Sequence, residues 1–128
     1  MKKISWLALF TAAAFSINAH AAPERVGDFT LIDDAGKAHQ LSKYAFNKAV
    51  VIVSQAAGCT MNQENIARYK QLRTNWDHRG VSFLMLNSSV DDDRADIRAE
   101  EAVWNYDFPI MDDDAQLVAN ALGVSKPG

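Results

Sequence analysis

The chemistry available to this chain centres on one thiol. Cys59 is the single cysteine among 128 residues, and it follows the apolar run Val50-Val51-Ile52-Val53 and then Ser54-Gln55-Ala56-Ala57-Gly58. A β-branched run closing in small residues, followed by Thr60-Met61-Asn62, predicts strand, tight loop, thiol and helix in that order. A thiol at the first turn of a helix lies near backbone N–H groups without intrahelical acceptors, which favour its thiolate. The expected chemistry is attack by that thiolate on an electrophilic sulfur or oxygen, giving a mixed disulfide or a sulfenic acid. Gly58, Thr60 and Asn62 are the residues placed to support Cys59. With no second cysteine to resolve the product, an external thiol or a segment beyond Gly128 has to do so. No cofactor is expected. Two alternatives use the same residues: Cys59 and Met61 are soft sulfur ligands suited to Cu(I), or the domain is non-catalytic and serves a larger redox protein.

The elements that must position the thiol follow from the patterning. Phe29, Leu31 and Ile32 predict a strand, Asp33-Asp34-Ala35-Gly36-Lys37 a turn, and Ala38 to Leu41 the returning arm of a hairpin. Ser42 is expected to cap a short helical turn. Val50 to Val53, apolar without alternation, reads as a central strand buried on both faces. Ile66, Tyr69, Leu72 and Trp76 then recur at spacings of three and four, one apolar stripe of a helix ending at Gly80. Val81 to Leu86 predicts a second buried strand, parallel to the first through a right-handed crossover. Asp91 to Asp93 lead into a helix carrying Ile97, Val103 and Trp104, Phe108 to Met111 form a short strand, and Asp114 caps a last helix closed by Gly123. His39 and His78 are expected at the surface, and Trp76 and Trp104 in the core.

Composition narrows the class. A hydrophobic content of 48% and this length suit one globular domain. The net charge of -3 argues against nucleic acid, which needs a concentrated basic face. Neither Asp91 to Asp93 nor Asp112 to Asp114 has the ligand spacing of a calcium loop. Residues 1–21, with Lys2 and Lys3, the apolar stretch Trp6 to Ile17 and Ala19-His20-Ala21, read as a secretory signal peptide cleaved after Ala21. Its apolar run is shorter than the roughly 20 residues that span a bilayer. The remaining domain, 22–128, is therefore expected in the periplasm or secreted, without stable membrane insertion. In that compartment an unpaired cysteine suggests intermolecular pairing or a reactive thiol.

The sequence resembles the thioredoxin-like redoxins of the alkyl hydroperoxide reductase and thiol-specific antioxidant group, which are related to peroxiredoxins. The residues carrying the resemblance are Gly27-Asp28-Phe29-Thr30-Leu31, Asp34 to Gly36, Leu41, the strand running into Gly58-Cys59, Gly80-Val81-Ser82-Phe83-Leu84, Phe108-Pro109 and Leu122-Gly123-Val124. The resemblance implies an α/β thioredoxin-like fold and a reactive cysteine at Cys59 that meets a peroxide or a disulfide. It implies an external thiol reductant or disulfide partner protein, with further redox domains downstream of Gly128. Three departures stand beside it. Asn62 occupies the place of the second cysteine of a Cys-x-x-Cys motif, and Ile52 and Ala56 occupy the places of the peroxiredoxin proline and threonine. The family's later cis-proline loop, two strands and last helix have no counterpart in the sequence, so either it reads as a C-terminally truncated piece of a longer protein, or an incomplete sheet leaves an exposed edge. Pro127 lies close to the place of the cis-proline, one residue short.

Overall fold

The structure is a computed structural model, and it describes residues 25–124. Residues 1–21, where a signal peptide is expected, and Pro127 lie outside the described residues. Eight elements follow in order: β1 (Thr30–Asp33), β2 (Ala38–Gln40), β3 (Ala49–Gln55), α1 (Thr60–Trp76), β4 (Val81–Asn87), α2 (Arg94–Trp104), β5 (Ile110–Asp112) and α3 (Leu117–Leu122). The strands form one sheet in the order β2-β1-β5-β4-β3. The predicted hairpin is present, with Leu31 opposite His39. The predicted parallel pair is present too, running from Ala49 opposite Val81 to Gln55 opposite Asn87. Helix α1 makes the crossover between those strands, and a short 3-10 turn, Asp77–Arg79, carries the chain to Gly80 at φ 83.

The core lies on both faces of β4, whose last four residues, Leu84 to Asn87, are fully buried. Alternation along β4 divides it. Leu84 and Leu86 face Met111, Val118 and Ala119, with Val50 and Ile52 packed against them. Met85 faces Ile97, Tyr106, Phe108 and Ile110, with Val53, Ile66, Tyr69 and Phe83 around it. Arg73 ties α1 to this second core. It donates to the Asp107 carbonyl at 2.8 Å, pairs with the Asp107 carboxylate, and lies 5.4 Å over the Phe108 ring.

Several expectations are corrected. Strand β3 is the edge of the sheet among the described residues, and Val50 to Val53 are only partly buried; the strand buried on both faces is β4. An apolar run therefore reported a strand in the right place and the wrong position in the sheet. Ser42 caps nothing: Gln40 precedes the 3-10 turn Leu41–Tyr44, and the Ser42 N–H donates to Asp28 Oδ1 at 2.8 Å. That bond and one from Gln40 hold the Asp28 carboxyl below its usual range, the Gln40 bond foremost. Helix α3 is anchored by Asp113 and not by Asp114, because the buried Asp113 carboxylate receives the N–H groups of Val118 (3.2 Å) and Ala119 (2.8 Å).

His39 is buried at 3% exposure, where a surface position was expected. Its Nε2–H donates to Asp33 Oδ2 at 2.8 Å and its Nδ1 stands 2.6 Å from the Tyr44 hydroxyl. The hairpin thus encloses a polar pair, since β2 turns His39 inward onto β1. Burial first, and the Asp33 charge second, push the Tyr44 hydroxyl up. His78 is exposed as expected. Trp76 and Trp104 are 44% and 38% exposed, not core residues. The Trp76 ring packs beneath the Arg79 guanidinium, which lies 4.9 Å from its centroid, and with Leu72 it lines an open apolar cleft beside Ala49 and Val51 of β3.

Candidate active site

The thiol stands where three local preferences meet. Strand β3 ends at the buried Gln55. Gly58 takes φ 73 with open space where a Cβ would be, so glycine is required there by backbone conformation and not by crowding. Cys59 then adopts the extended conformation of an N-cap, φ -70 and ψ 105, with its carbonyl receiving the Gln63 N–H at 3.1 Å. No side chain caps this helix end and its first turn holds no acidic residue. The positive end of a 17-residue helix therefore adjoins the half-buried Cys59.

Two anchors flank the thiol. On the strand side, the Ala57 N–H donates to Asp92 Oδ2 at 2.7 Å, and the same oxygen receives the Asn87 side-chain amide at 2.8 Å. On the helix side, Asn62, 1% exposed, donates to the Ser54 carbonyl at 2.9 Å. Asn87 also donates to Gln55 Oε1 at 3.1 Å, so the carboxyl ends of β3 and β4 are joined side chain to side chain. Past the site on β5, burial pushes the Asp112 carboxyl up, and Asp114 adds to this while Arg94, 3.8 Å away, opposes it.

Four buried polar atoms make no hydrogen bond among the described residues: Gln55 Nε2, Asn62 Oδ1, Ser88 Oγ and the Tyr106 hydroxyl. Gln55 closes β3 and Asn62 lies in the first turn after Cys59, so two of the four border the loop that carries the thiol, while Ser88 directly follows β4. An open cleft of about 350 Å³ adjoins it, lined by Ala57, Asp91, Asp92, Asp96, Glu100 and Val103. Gln63, four residues after Cys59, donates to Glu100 at 2.9 Å and closes α1 against α2 along this cleft.

The residues singled out from sequence therefore part company. Cys59, Gly58 and Asn62 are brought together, Asn62 as an inward brace and not as a group facing the cleft. Thr60 is exposed. Met61 is 60% exposed on the outer face of the first turn, and among the described residues no group of three or more His, Cys, Asp and Glu side chains is arranged to hold a metal. Ile52 packs in the core on the α3 side of the sheet. Gln55, Asn87, Asp92 and Tyr106 escaped the sequence reading. The first two do leave a trace there, as polar residues closing otherwise apolar strands, whereas Asp92 and Tyr106 sit in loops with no periodicity to expose them.

A family model described as the AhpC/TSA family matches residues 21–128. No curated protein matches the chain. Among solved structures, Peroxidoxin BcpB from Mycobacterium tuberculosis superposes with a TM-score of 0.67 at 21% identity, covering 80% of this chain and 65% of that one. A secreted Mycobacterium tuberculosis disulfide oxidoreductase homologous to E. coli DsbE gives 0.62 at 14% identity, over 77% and 71%. The pneumococcal exposed lipoprotein thioredoxin Etrx1 from Streptococcus pneumoniae gives 0.66 at 19% identity, over 78% and 76%. The fold is thioredoxin-like. The chain spans 65% and 61% of the lengths of the first two solved structures it matches.

Proposed function

The chain belongs to the AhpC/TSA family, and from that premise we propose that it is a thiol-dependent oxidoreductase acting outside the cytoplasm, with Cys59 as its nucleophile. The observation that carries this reading is the placement of Cys59: a half-buried cysteine at the uncapped N-terminus of α1, preceded by a left-handed glycine just past the carboxyl end of β3. Such a sulfur meets an electrophile from the solvent side while the helix end stabilises its charge.

With a peroxide, the thiolate attacks one oxygen, an S–O bond forms as the O–O bond breaks, and the leaving oxygen takes a proton. Sulfur loses two electrons and becomes a sulfenic acid. With a disulfide, an S–S bond breaks as the new one forms, and a thiolate leaves. In either case Cys59 finds no resolving cysteine at Asn62, so a thiol from another molecule, or from a segment beyond Gly128, completes the cycle. The leader-like residues 1–21, together with two structural relatives that are a secreted oxidoreductase and an exposed lipoprotein, support a periplasmic or secreted location.

The test is intact-mass analysis of folded protein at neutral pH after mild hydrogen peroxide or a small disulfide. A single added oxygen or a single mixed disulfide, absent in Cys59→Ser, is expected. A thiol that stays unmodified until the protein is denatured overturns the reading.

A further inference from the structure

The hairpin end of the sheet holds a second set of side chains able to do chemistry. Asp33 of β1, His39 of β2 and Tyr44 of the following 3-10 turn form one hydrogen-bonded chain, with the carboxylate 2.8 Å from Nε2 and the phenol oxygen 2.6 Å from Nδ1. Its polarity is fixed by its surroundings. Asp33 accepts at both oxygens, since Oδ1 also takes the Lys37 N–H at 2.7 Å, so Nε2 carries the ring proton. In the neutral imidazole Nδ1 is then the acceptor, and the Tyr44 hydroxyl donates to it. A phenol aimed at a base whose far nitrogen is held by a carboxylate has a place to send its proton. The other two tyrosines differ in this. The buried Tyr106 hydroxyl meets no acceptor among the described residues, and no side chain among them accepts from Tyr69.

We propose that Tyr44 is a one-electron oxidation site: an oxygen-centred radical oxidant takes an electron from the phenol while the phenolic proton passes to Nδ1 of His39. The O–H bond breaks as an N–H bond forms, Tyr44 becomes a neutral phenoxyl radical, and the oxidant is reduced by one electron to its anion. The imidazolium left at His39 lies 2.8 Å from the Asp33 carboxylate, which offsets its charge inside the protein. His39 is thus the proton acceptor, and Asp33 is a positioning residue that fixes its tautomer. Electron and proton leave together. Burial first, and the Asp33 charge second, push the Tyr44 hydroxyl up, so no phenolate stands ready to be oxidised. Trp76 is the more exposed aromatic but the poorer donor, because the Arg79 guanidinium 4.9 Å from its ring opposes the cation that electron loss leaves there. The site is independent of Cys59 and of the function proposed for it.

The experiment exposes the full chain carrying Cys59→Ser, which removes a competing thiol, to a limiting dose of carbonate radical. Nitrogen dioxide traps tyrosyl radicals as nitrotyrosine, and peptide mass mapping locates them. A positioned base contributes about 100-fold or more to a proton transfer. Nitration at Tyr44 should therefore exceed that at Tyr69, which is half-buried as well, by about 100-fold. Glutamine in place of the histidine keeps a hydrogen-bonding side chain but cannot take up the proton, so His39→Gln should bring Tyr44 down to the level of Tyr69. Heavy water gives a readout that does not depend on that variant folding. Nitration at Tyr44 should fall in it, because an O–D bond then has to break as the electron leaves. Equal nitration of Tyr44 and Tyr69, an undiminished Tyr44 in folded His39→Gln, or a Tyr44 yield unchanged by heavy water overturns the proposal and leaves the proposed function of Cys59 standing.

Discussion

The side-chain amide of Asn62 donates to the backbone carbonyl of Ser54 over 2.9 Å, so the residue three places after the thiol fastens the first turn of α1 to the end of β3. In a dithiol redoxin that place is reserved for the resolving sulfur. Here it holds the loop between strand and helix in one shape, with Cys59 at its apex. Replacing Asn62 by Ala removes the bond and opens a void in a site that is 1% exposed. A loss of about 1–2 kcal/mol in urea unfolding is expected, together with faster hydrogen exchange in the first turn of α1.

The Asp33 and His39 side chains are a second buried relationship, 2.8 Å apart at 5% and 3% exposure. Truncating one partner of such a pair strands the other without water, at a cost of about 3–5 kcal/mol. His39→Ala should lose stability on that scale in chemical denaturation. The thiol lies on the other side of the sheet order from this hairpin, so the Cys59 alkylation rate in the remaining folded protein should stay at the wild-type level.

Alkaline pH should weaken the fold through Tyr106. Its hydroxyl is pushed up to about 12, by burial first and then by the charges of Glu100, Cys59 and Tyr69, whereas an unfolded tyrosine titrates near 10. The folded state holds the proton more tightly, so the contribution is complete below pH 10 and is lost as the pH rises from 10 to about 12. Denaturant midpoints measured across that window should fall more steeply for the wild type than for Tyr106→Phe. Parallel slopes would show that the hydroxyl does not contribute.

Gly58 stands at φ 73 with open space around its missing Cβ. Gly58→Ala should cost about 1 kcal/mol by strain alone, and Gly58→Asn less, because asparagine tolerates the left-handed region. Thermal unfolding of the two variants checks the order; a clash would have penalised the larger side chain more.

What the sequence disclosed depended on how local each determinant is. The β3–loop–α1 unit, the hairpin, the parallel crossover and the stops at Gly80 and Gly123 are written in neighbouring residues, through β-branched runs, turn residues and helical spacing. Place in the sheet is not local. Val50 to Val53 look buried on both sides, but only the partners of β3 and β4 decide which of the two strands is enclosed. His39 reads as a polar residue in a short arm until Asp33 and Tyr44 are brought against it. Likewise the thiol was visible as a lone cysteine, while Asn87 and Asp92, which brace its loop, arrive from segments 28 and 33 residues downstream. Asp113 in place of Asp114 was missed because three consecutive aspartates are indistinguishable until the backbone turns one inward.

The sheet order has a consequence for how the molecule is made. Strand β1 gains its second neighbour only from β5, where Ile32 lies opposite Asp112 and Asp33 opposite Met111. During vectorial synthesis the β1–β2 hairpin therefore emerges first and waits, with a seam of unsatisfied ladder groups, until residues 110–112 have left the ribosome. Meanwhile β3, α1 and β4 can assemble from contiguous chain. Pulse-labelled hydrogen exchange during refolding should accordingly protect Val81–Asn87 before Thr30–Asp33, and the reverse order would show that the hairpin nucleates the sheet instead.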